Sequence, residues 1–375
     1  MLKAIACFFF LPVLAAHAHA EQIRGNWEVM GTYFSVTLLD TAPSRANDEI
    51  LGAAFSVVDI LDRQMSNYRP DSELSRVNDF AGRGQIQVQA NLYEILLTSE
   101  LFRASSAGAF DVTIGALVDA WGFYSPRTAS IPEGGVIARA LESVGEGRLK
   151  LRAAKRTVEL KSGTRLDLGA VAKGYAVDRA IAVLRERGAA AAMVDLGGTV
   201  GVIGSKADGE PWSIGIRHPA GNGLIGKIRI ARGAVSTSGN YERFFIQDGK
   251  RFSHLIDPRT GWPVAGVMSV TVVAPSATTA DALSTAAYVR APQDGIAWLG
   301  ACDGVKAIAF YPADDDQIRV EFAGAGAEAL FELSDADCFV KTESAGMPSS
   351  SGAKVTMGSR TTCAVGSVSP PATDQ

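Results

Sequence analysis

The apolar positions of this chain switch repeatedly between a period of two and a helical period. At 27–38, "WEVMGTYFSVTL", β-branched and aromatic residues partly alternate with polar ones and predict a strand. Ile50, Leu51, Ala54, Val57, Val58 and Leu61 then recur at helical spacing and predict a helix over 44–64. Leu92, Ile95, Leu96 and Leu101 predict a second helix over 92–105. The run 108–123 reads as a Gly-bounded loop leading into a helix, and 148–163 as a small hairpin. In "RLDLGAVAKGYAVDRAIAVLRERG" (165–188) a short apolar strand enters a Gly turn and opens into a long helix ended by Gly188. A buried strand broken by Gly197 and Gly198 is expected at 190–204. Short β-like runs follow at 212–216, 225–230, 233–237, 243–246 and 267–274, then a helix over 278–291 and a strand over 305–311.

No internal repeat and no Pro- or Ser-rich linker divides these elements. The expected fold class is α/β (α+β), a single compact domain over 21–342 in one or two lobes. The ends differ in character. Lys3, an apolar run from Ile5 to Ala16 and the small residues of Ala18-His19-Ala20 have the anatomy of a signal peptide over 1–20. The run is short for a membrane span, so cleavage after Ala20 and an exported, periplasmic protein are expected; a retained N-terminal anchor is the alternative. Cys7 lies inside the apolar run, which argues against lipidation there. From 343 to 375 bulky apolar residues thin out and Ser, Thr, Gly and Pro take over. Such a segment cannot offset its ordering entropy, so a flexible low-complexity tail is expected.

Composition narrows the function classes. The 375 residues are 47% hydrophobic and 20% charged with a net charge of −4, and no long basic run suggests a nucleic-acid groove. Cys302, Cys338 and Cys363 are widely spaced without a CxxC pair, so zinc is not expected. They read as buried or incidental thiols, with a Cys338–Cys363 pair across the tail as the alternative.

Four places carry candidate chemistry. Asp281 and Thr285 stand four apart in "TTADALSTAA", one turn apart on one helical face, a hard-oxygen pair that suits Mg²⁺. The same residues also suit a helix-dipole partner and a packed Thr. "LDLGAVAKGYAVD" (166–178) combines a Gly turn, a helix start and Lys173. It is either an anion cradle or a tight strand-to-helix connection. Tyr68, beside a Pro turn in "MSNYRPDSELSRVN", is placed either to stack on a flat ring system or to pack. His254 precedes a turn built by Asp257, Pro258 and Gly261, which would hold an acid/base group still; a locally satisfied imidazole is the alternative. His218, in "IRHPAG", has no assigned role.

Taken in order, "MGTYFSVTL", "MSNYRPDSELSRVN", "GAFDVTIG", "LDLGAVAKGYAVD", "VDLGG", "VSTSGNYERFF", "SHLIDPRTGWPV" and "ADALSTAAYV" resemble the ApbE family, the FAD:protein FMN transferases, over about 27 to 312. The resemblance implies a T-fold-like domain and a Mg²⁺-dependent reaction. FAD is cleaved at its pyrophosphate, FMN passes to a Thr or Ser hydroxyl of an exported flavoprotein subunit bearing a D-x-x-[ST]-G-A-[ST]-like motif, and AMP leaves. It implies Asp281 and Thr285 as metal ligands, completed by a backbone carbonyl near Ala170. Met30, Tyr68, Ala109, Phe110, Asp111, Asp167, Lys173 and Leu255 match flavin-nucleotide contacts, and His254 matches the proposed base. Many members carry an acidic or amide residue after the paired glycines, where this chain has Thr199. A Mg²⁺-dependent FAD pyrophosphatase and a non-catalytic flavin-binding protein are the alternatives.

Overall fold

The computed structural model describes residues 21–40, 45–124, 129–206, 208–314, 317–334 and 339–341. The expected signal segment with Cys7, the expected tail with Cys363, and Cys338 lie outside them. The chain opens with the hairpin β1 (Glu21–Val29) and β2 (Thr32–Asp40), then α1 (Arg45–Met65), α2 (Glu73–Asp79), β3 (Gln85–Gln87) and α3 (Ala90–Ser105). Two short helices, α4 (Gly115–Ala120) and α5 (Val136–Leu141), lead to β4 (Leu149–Arg152) and β5 (Thr157–Leu160). Next come α6 (Ala172–Glu186), β6 (Ala192–Leu196), β7 (Thr199–Ile203), β8 (Trp212–Arg217), β9 (Leu224–Ile230) and β10 (Gly233–Gly239). The ribbon β11 (Phe244–Gln247) and β12 (Lys250–Ser253) precedes β13 (Ser269–Ala274) and α7 (Ala277–Asp294). The described chain closes with β14 (Lys306–Pro312), β15 (Ile318–Ala323), α8 (Ala327–Leu330), β16 (Phe331–Leu333) and β17 (Phe339–Lys341).

Nine strands form one sheet in the order β1-β2-β6-β7-β10-β13-β14-β15-β17, antiparallel throughout except for β15 with β17. Its central strands are covered on both faces. Along β7 Val200 and Val202 join Trp212, Ile216, Ile225 and Ile228 of the small β16-β9-β8 sheet. Gly201, between them, faces Val177 and Ile181 of α6. A strand buried on both faces loses the polar half of its alternation, which is why 199–203 and 269–274 read as unbroken buried runs. The mixed α/β class expected from the sequence is the class observed. Among the described residues no helix is long and apolar enough to cross a membrane.

The helices α1, α6 and α7 form the opposite layer, over a core that includes Val58, Leu61, Tyr175, Ala180 and Leu283. Helix α7 is buried from Ala277 to Ser284 and again over most of its second half. Only a helix rich in Ala, Ser and Thr fits that close between a sheet and a neighbouring helix. Two carboxylates, one from each helix, fasten α6 to α7. Asp178 of α6 accepts from Ala277 N (2.7 Å), Thr278 N (2.8 Å) and Thr278 Oγ1 (2.6 Å), satisfying donors at the start of α7. Asp281 of α7 accepts from Gly174 N (2.9 Å) in the first turn of α6. The close approach requires glycine at 174, because a Cβ there would overlap the Ala277 carbonyl and lie 2.8 Å from Asp281 Cβ.

Four expectations need correction. The single strand at 27–38 is a hairpin, turned at Met30 (φ 54°) and Gly31 (φ 70°); both turn residues are left-handed, and Met is not a residue that signals such a turn. The broken strand at 190–204 is likewise two antiparallel strands, β6 and β7, joined at Gly197-Gly198. The apolar strand at 165–168 is no strand; its only bridge joins Arg165 to Ile114. The Asn78 carboxamide takes the place of a neighbouring strand, accepting from Leu166 N (2.7 Å) and donating to Leu166 O (3.0 Å). Cys302, expected as a buried or incidental thiol, is buried but disulfide-bonded.

Replacing Asp178 with Ala leaves the α7 donors buried and unpaired, so the unfolding free energy from urea titration should fall by about 2–3 kcal/mol. A loss below about 0.5 kcal/mol, the range of ordinary surface substitutions, would mean the two helices are not fastened there.

Candidate functional site

The α6–α7 junction brings the metal-ligand candidates together. Asp281 and Thr285 face two alternate residues of β10, Ser236 and Ser238. Ser236 Oγ donates to Asp281 Oδ1 at 3.2 Å, and the Ser238 and Thr285 hydroxyls lie 3.2 Å apart. Thr199, at the position where the family pattern is departed from, is buried with its hydroxyl 3.0 Å from Ser236 Oγ and donating to Asp281 Oδ1 at 3.4 Å. Its hydroxyl therefore serves the carboxylate. Lys173 Nζ lies 3.7 Å from Asp281 Oδ1 and donates to the Gly169 carbonyl at 3.0 Å. Among the described residues no three His, Cys, Asp or Glu side chains gather as a metal cage. The donor set is one carboxylate among hydroxyls. Asp281 Oδ2 accepts one N–H and keeps a lone pair. Hard oxygens of this kind fit Mg²⁺, which takes few protein ligands and fills the rest of its shell with phosphate and water.

The anion cradle expected at 169–174 is largely spent inside the protein. Gly169 N donates to Asp167 Oδ1 (2.7 Å), Val171 N and Ala172 N to the Leu168 carbonyl (3.0 and 2.8 Å), and Gly174 N to Asp281. The positive end of α6 thus supports the Asp281 carboxylate. Ala170, half-buried in the same turn, is the carbonyl candidate. Asp167 Oδ2 accepts from the Tyr124 hydroxyl at 2.8 Å. Burial and the Asp167 charge push the Tyr124 pKa far up, so the phenol stays a donor.

Tyr68, 53% exposed, meets Tyr124 edge-on at 6.0 Å and accepts from Arg243 Nη1 at 2.6 Å. The Met30-Gly31 turn is near the same arginine: a Cβ at Gly31 would lie 3.9 Å from Arg243 Nη2. The Met30 N–H is bonded to Asp62 of α1. The carbonyl of Arg243 lies 3.0 Å from both the backbone nitrogen and Nδ1 of His254. A carbonyl only accepts, so Nδ1 carries the proton and Nε2 of the neutral ring is the proton acceptor. Burial pushes the His254 pKa down from 6.5 to about 4; the Arg243 and Lys173 charges act the same way, against the carbonyl hydrogen bond. The turn behind it is braced. Thr260 N and Gly261 N donate to the Asp257 carbonyl (3.2 and 2.8 Å), Arg259 grips the Asp257 carboxylate, and the Trp121 indole donates to the Gly261 carbonyl at 2.8 Å. Phe245 and Phe252 seat the ribbon β11–β12 on the same Trp121.

Four candidate contacts have little to offer a ligand through their side chains. Ala109 and Phe110 are buried, and Phe110 packs edge-on to Phe102 at 5.8 Å. Leu255 belongs to the main core. One carboxylate oxygen of Asp111 accepts from Thr113 N (2.8 Å) and Thr113 Oγ1 (2.6 Å), and burial pushes its pKa up. For the first three, only main-chain groups are left for a ligand. Sequence reasoning missed Ser236, Ser238, Tyr124 and Arg243, and marked Thr199 only as a departure from the family pattern. The alternation in "VSTSG" was a usable signal for the two serines, since residues two apart on a strand share a face.

Comparisons with known proteins bear on the fold and the family. A model of the ApbE family matches residues 30–309. The FAD:protein FMN transferase of Treponema pallidum is 35% identical over 310 residues, 78% of this chain and 84% of that protein. The protein of the same name from Haemophilus influenzae is 33% identical over 300 residues, 76% of this chain and 85% of that one. The crystal structure of the ApbE protein from Thermotoga maritima superposes with a TM-score of 0.76 at 31% identity, covering 84% of this chain and 100% of that one. The flavin transferase ApbE from Vibrio cholerae gives 0.75 at 29% identity, over 83% of this chain and 99% of that one. With a family model over most of the chain and relatives above 30% identity across most of both lengths, the chain belongs to the ApbE family and is a transferase.

Proposed function

We propose that this protein transfers FMN from FAD to a Thr or Ser hydroxyl of a target protein in a Mg²⁺-dependent reaction, forming a phosphoester-linked flavin and releasing AMP. The observation that carries the reading is the tautomer of His254: a neutral, braced imidazole with Nε2 as acceptor, close enough to Lys173 to feel its charge. Its relatives' names, FAD:protein FMN transferase, support the donor and the transferred group.

Asp281 and Thr285, with a carbonyl near Ala170, would hold Mg²⁺. Bound there, the ion would supply Lewis-acid stabilisation of charge on the phosphate oxygens. The protein's own groups do the rest. Ser236 and Thr199 fix the Asp281 carboxylate, and the α6 N-terminus donates to it through Gly174 N. Lys173 offsets negative charge beside it. Tyr68 offers its exposed ring to one of the flat ring systems of the dinucleotide. Asp167, and the main chain of Met30, Ala109, Phe110, Asp111 and Leu255, bound the remainder of the nucleotide site. His254 Nε2 takes the proton of the acceptor hydroxyl as its oxygen bonds to the FMN phosphorus. The bond from that phosphorus to the bridging oxygen breaks, and the bridging oxygen leaves with AMP.

The acceptor belongs to the class of exported flavoprotein subunits with a D-x-x-[ST]-G-A-[ST]-like motif, and the protein itself is exported to the periplasm. The leader pattern of residues 1–20 and the disulfide at Cys302 support that location, since disulfides persist in oxidising compartments. N-terminal sequencing of the mature protein should begin at Glu21.

The direct test is incubation with FAD, Mg²⁺ and a peptide carrying the acceptor motif, read by mass spectrometry for covalent FMN. Free FMN without labelled peptide would identify a pyrophosphatase instead. Asp281→Ala should weaken Mg²⁺ binding, followed by metal-dependent thermal shift, by at least about tenfold; unchanged activity at limiting Mg²⁺ would refute the ligand assignment. His254→Ala should keep FAD binding and slow single-turnover transfer by about 10²–10⁴-fold. Because the His254 pKa is depressed, the base is already deprotonated across the neutral range. The rate (kcat/KM) should therefore show no inflection near 6.5, the ordinary histidine value, and should fall only as the pH approaches about 4. A rising limb centred on 6.5 would contradict the assignment.

A further inference from the structure

We infer that Arg243 is a further nucleotide-binding and positioning residue of this site, an inference that rests on the transferase reading. Arg243 lies between β10 and β11 and is exposed. Three separate segments meet at it: the Tyr68 loop through Nη1, the Met30-Gly31 turn near Nη2, and His254 through the Arg243 carbonyl. An exposed tyrosine ordinarily samples several rotamers. Here Tyr124 meets the ring edge-on and the guanidinium holds its hydroxyl end, the guanidinium carbon lying 5.7 Å from the ring centroid.

Among the described residues Tyr68 is the only side chain hydrogen-bonded to that guanidinium. A guanidinium has five N–H donors and keeps its charge at any working pH, so most of its donors remain for a ligand. A dinucleotide brings what such a pair receives, a flat ring system and phosphate oxygens. Arg243 meets His254 through its carbonyl, and the Arg243 and Lys173 charges both act on the ring. Lys173 stands on the Asp281 side and Arg243 on the Tyr68 side. The pyrophosphate of FAD would thus meet a cation at each end, and Arg243 would set the ring of Tyr68 at the same time.

The test uses Arg243→Ala, Arg243→Lys, Tyr68→Phe and the double variant R243A/Y68F in the full chain. None of these removes the main-chain carbonyl that orients His254. FAD affinity is measured by flavin fluorescence without Mg²⁺ or acceptor, and transfer by steady-state kinetics. In Arg243→Ala the Kd and KM for FAD should rise roughly tenfold, the scale of one charge-assisted hydrogen bond, with a smaller fall in kcat. Lys should recover little, because an ammonium has no planar fork. The double variant should be no more than about twofold weaker than Arg243→Ala, since both changes remove one contact. Wild-type FAD affinity in Arg243→Ala, full rescue by Lys, or a fall in kcat with unchanged Kd would overturn the inference. If Arg243→Ala melts early, Arg243→Lys with wild-type FAD affinity overturns it and with weakened affinity sustains it. Failure of the unmodified protein to bind FAD would instead overturn the transferase reading.

Discussion

The exchange of carboxylates between α6 and α7 is the constraint on which the functional half of this molecule depends. Asp178 ends the first turn of α7, and Asp281 ends the first turn of α6. Each buried charge is met by main-chain donors that would otherwise be orphaned, so neither helix can slide without exposing both sets. Gly174 permits the contact, and the small side chains of α7 let the pair lie flat against β10. Asp281 does two jobs in this arrangement. It locks the helices and presents an oxygen to the site, so the position of that oxygen is set by the same bonds that set the packing.

Around that junction the site is assembled from parts of different rigidity. The Asp281–Thr285 face and its hydroxyl partners on β10 are embedded in the sheet and helix layers. Tyr68 and Arg243 are exposed and depend on each other. His254 stands at the root of a two-stranded ribbon that rests on Trp121, outside the main core. The division is one of rigidity: the charged centre is fixed, while the surface beside it lies on small, separately braced elements.

Much of the fold was legible because most helices follow their apolar period; α1, α3, α6 and α7 fall close to where the spacing puts them. The errors share a cause. Where a side chain or an unusual turn residue substitutes for regular main-chain signals, as with Asn78 beside Leu166 or Met30 in a left-handed turn, period alone cannot find the boundary. The same holds for the site. Asp281, Thr285, Lys173 and His254 were visible through spacing and family order. Arg243 was not, and Thr199 showed only as a departure from the family pattern, because their contacts span long stretches of chain.

The bond from His254 Nδ1 ends on a main-chain oxygen, not on another side chain. Any residue that keeps the backbone path at 243 preserves the tautomer of the base. The outward positions of the ribbon, Phe244, Ile246 and Arg251, can therefore change without redirecting the proton-accepting nitrogen. Divergence in what the ribbon touches is thereby uncoupled from the orientation of the His254 ring, so the two can vary independently.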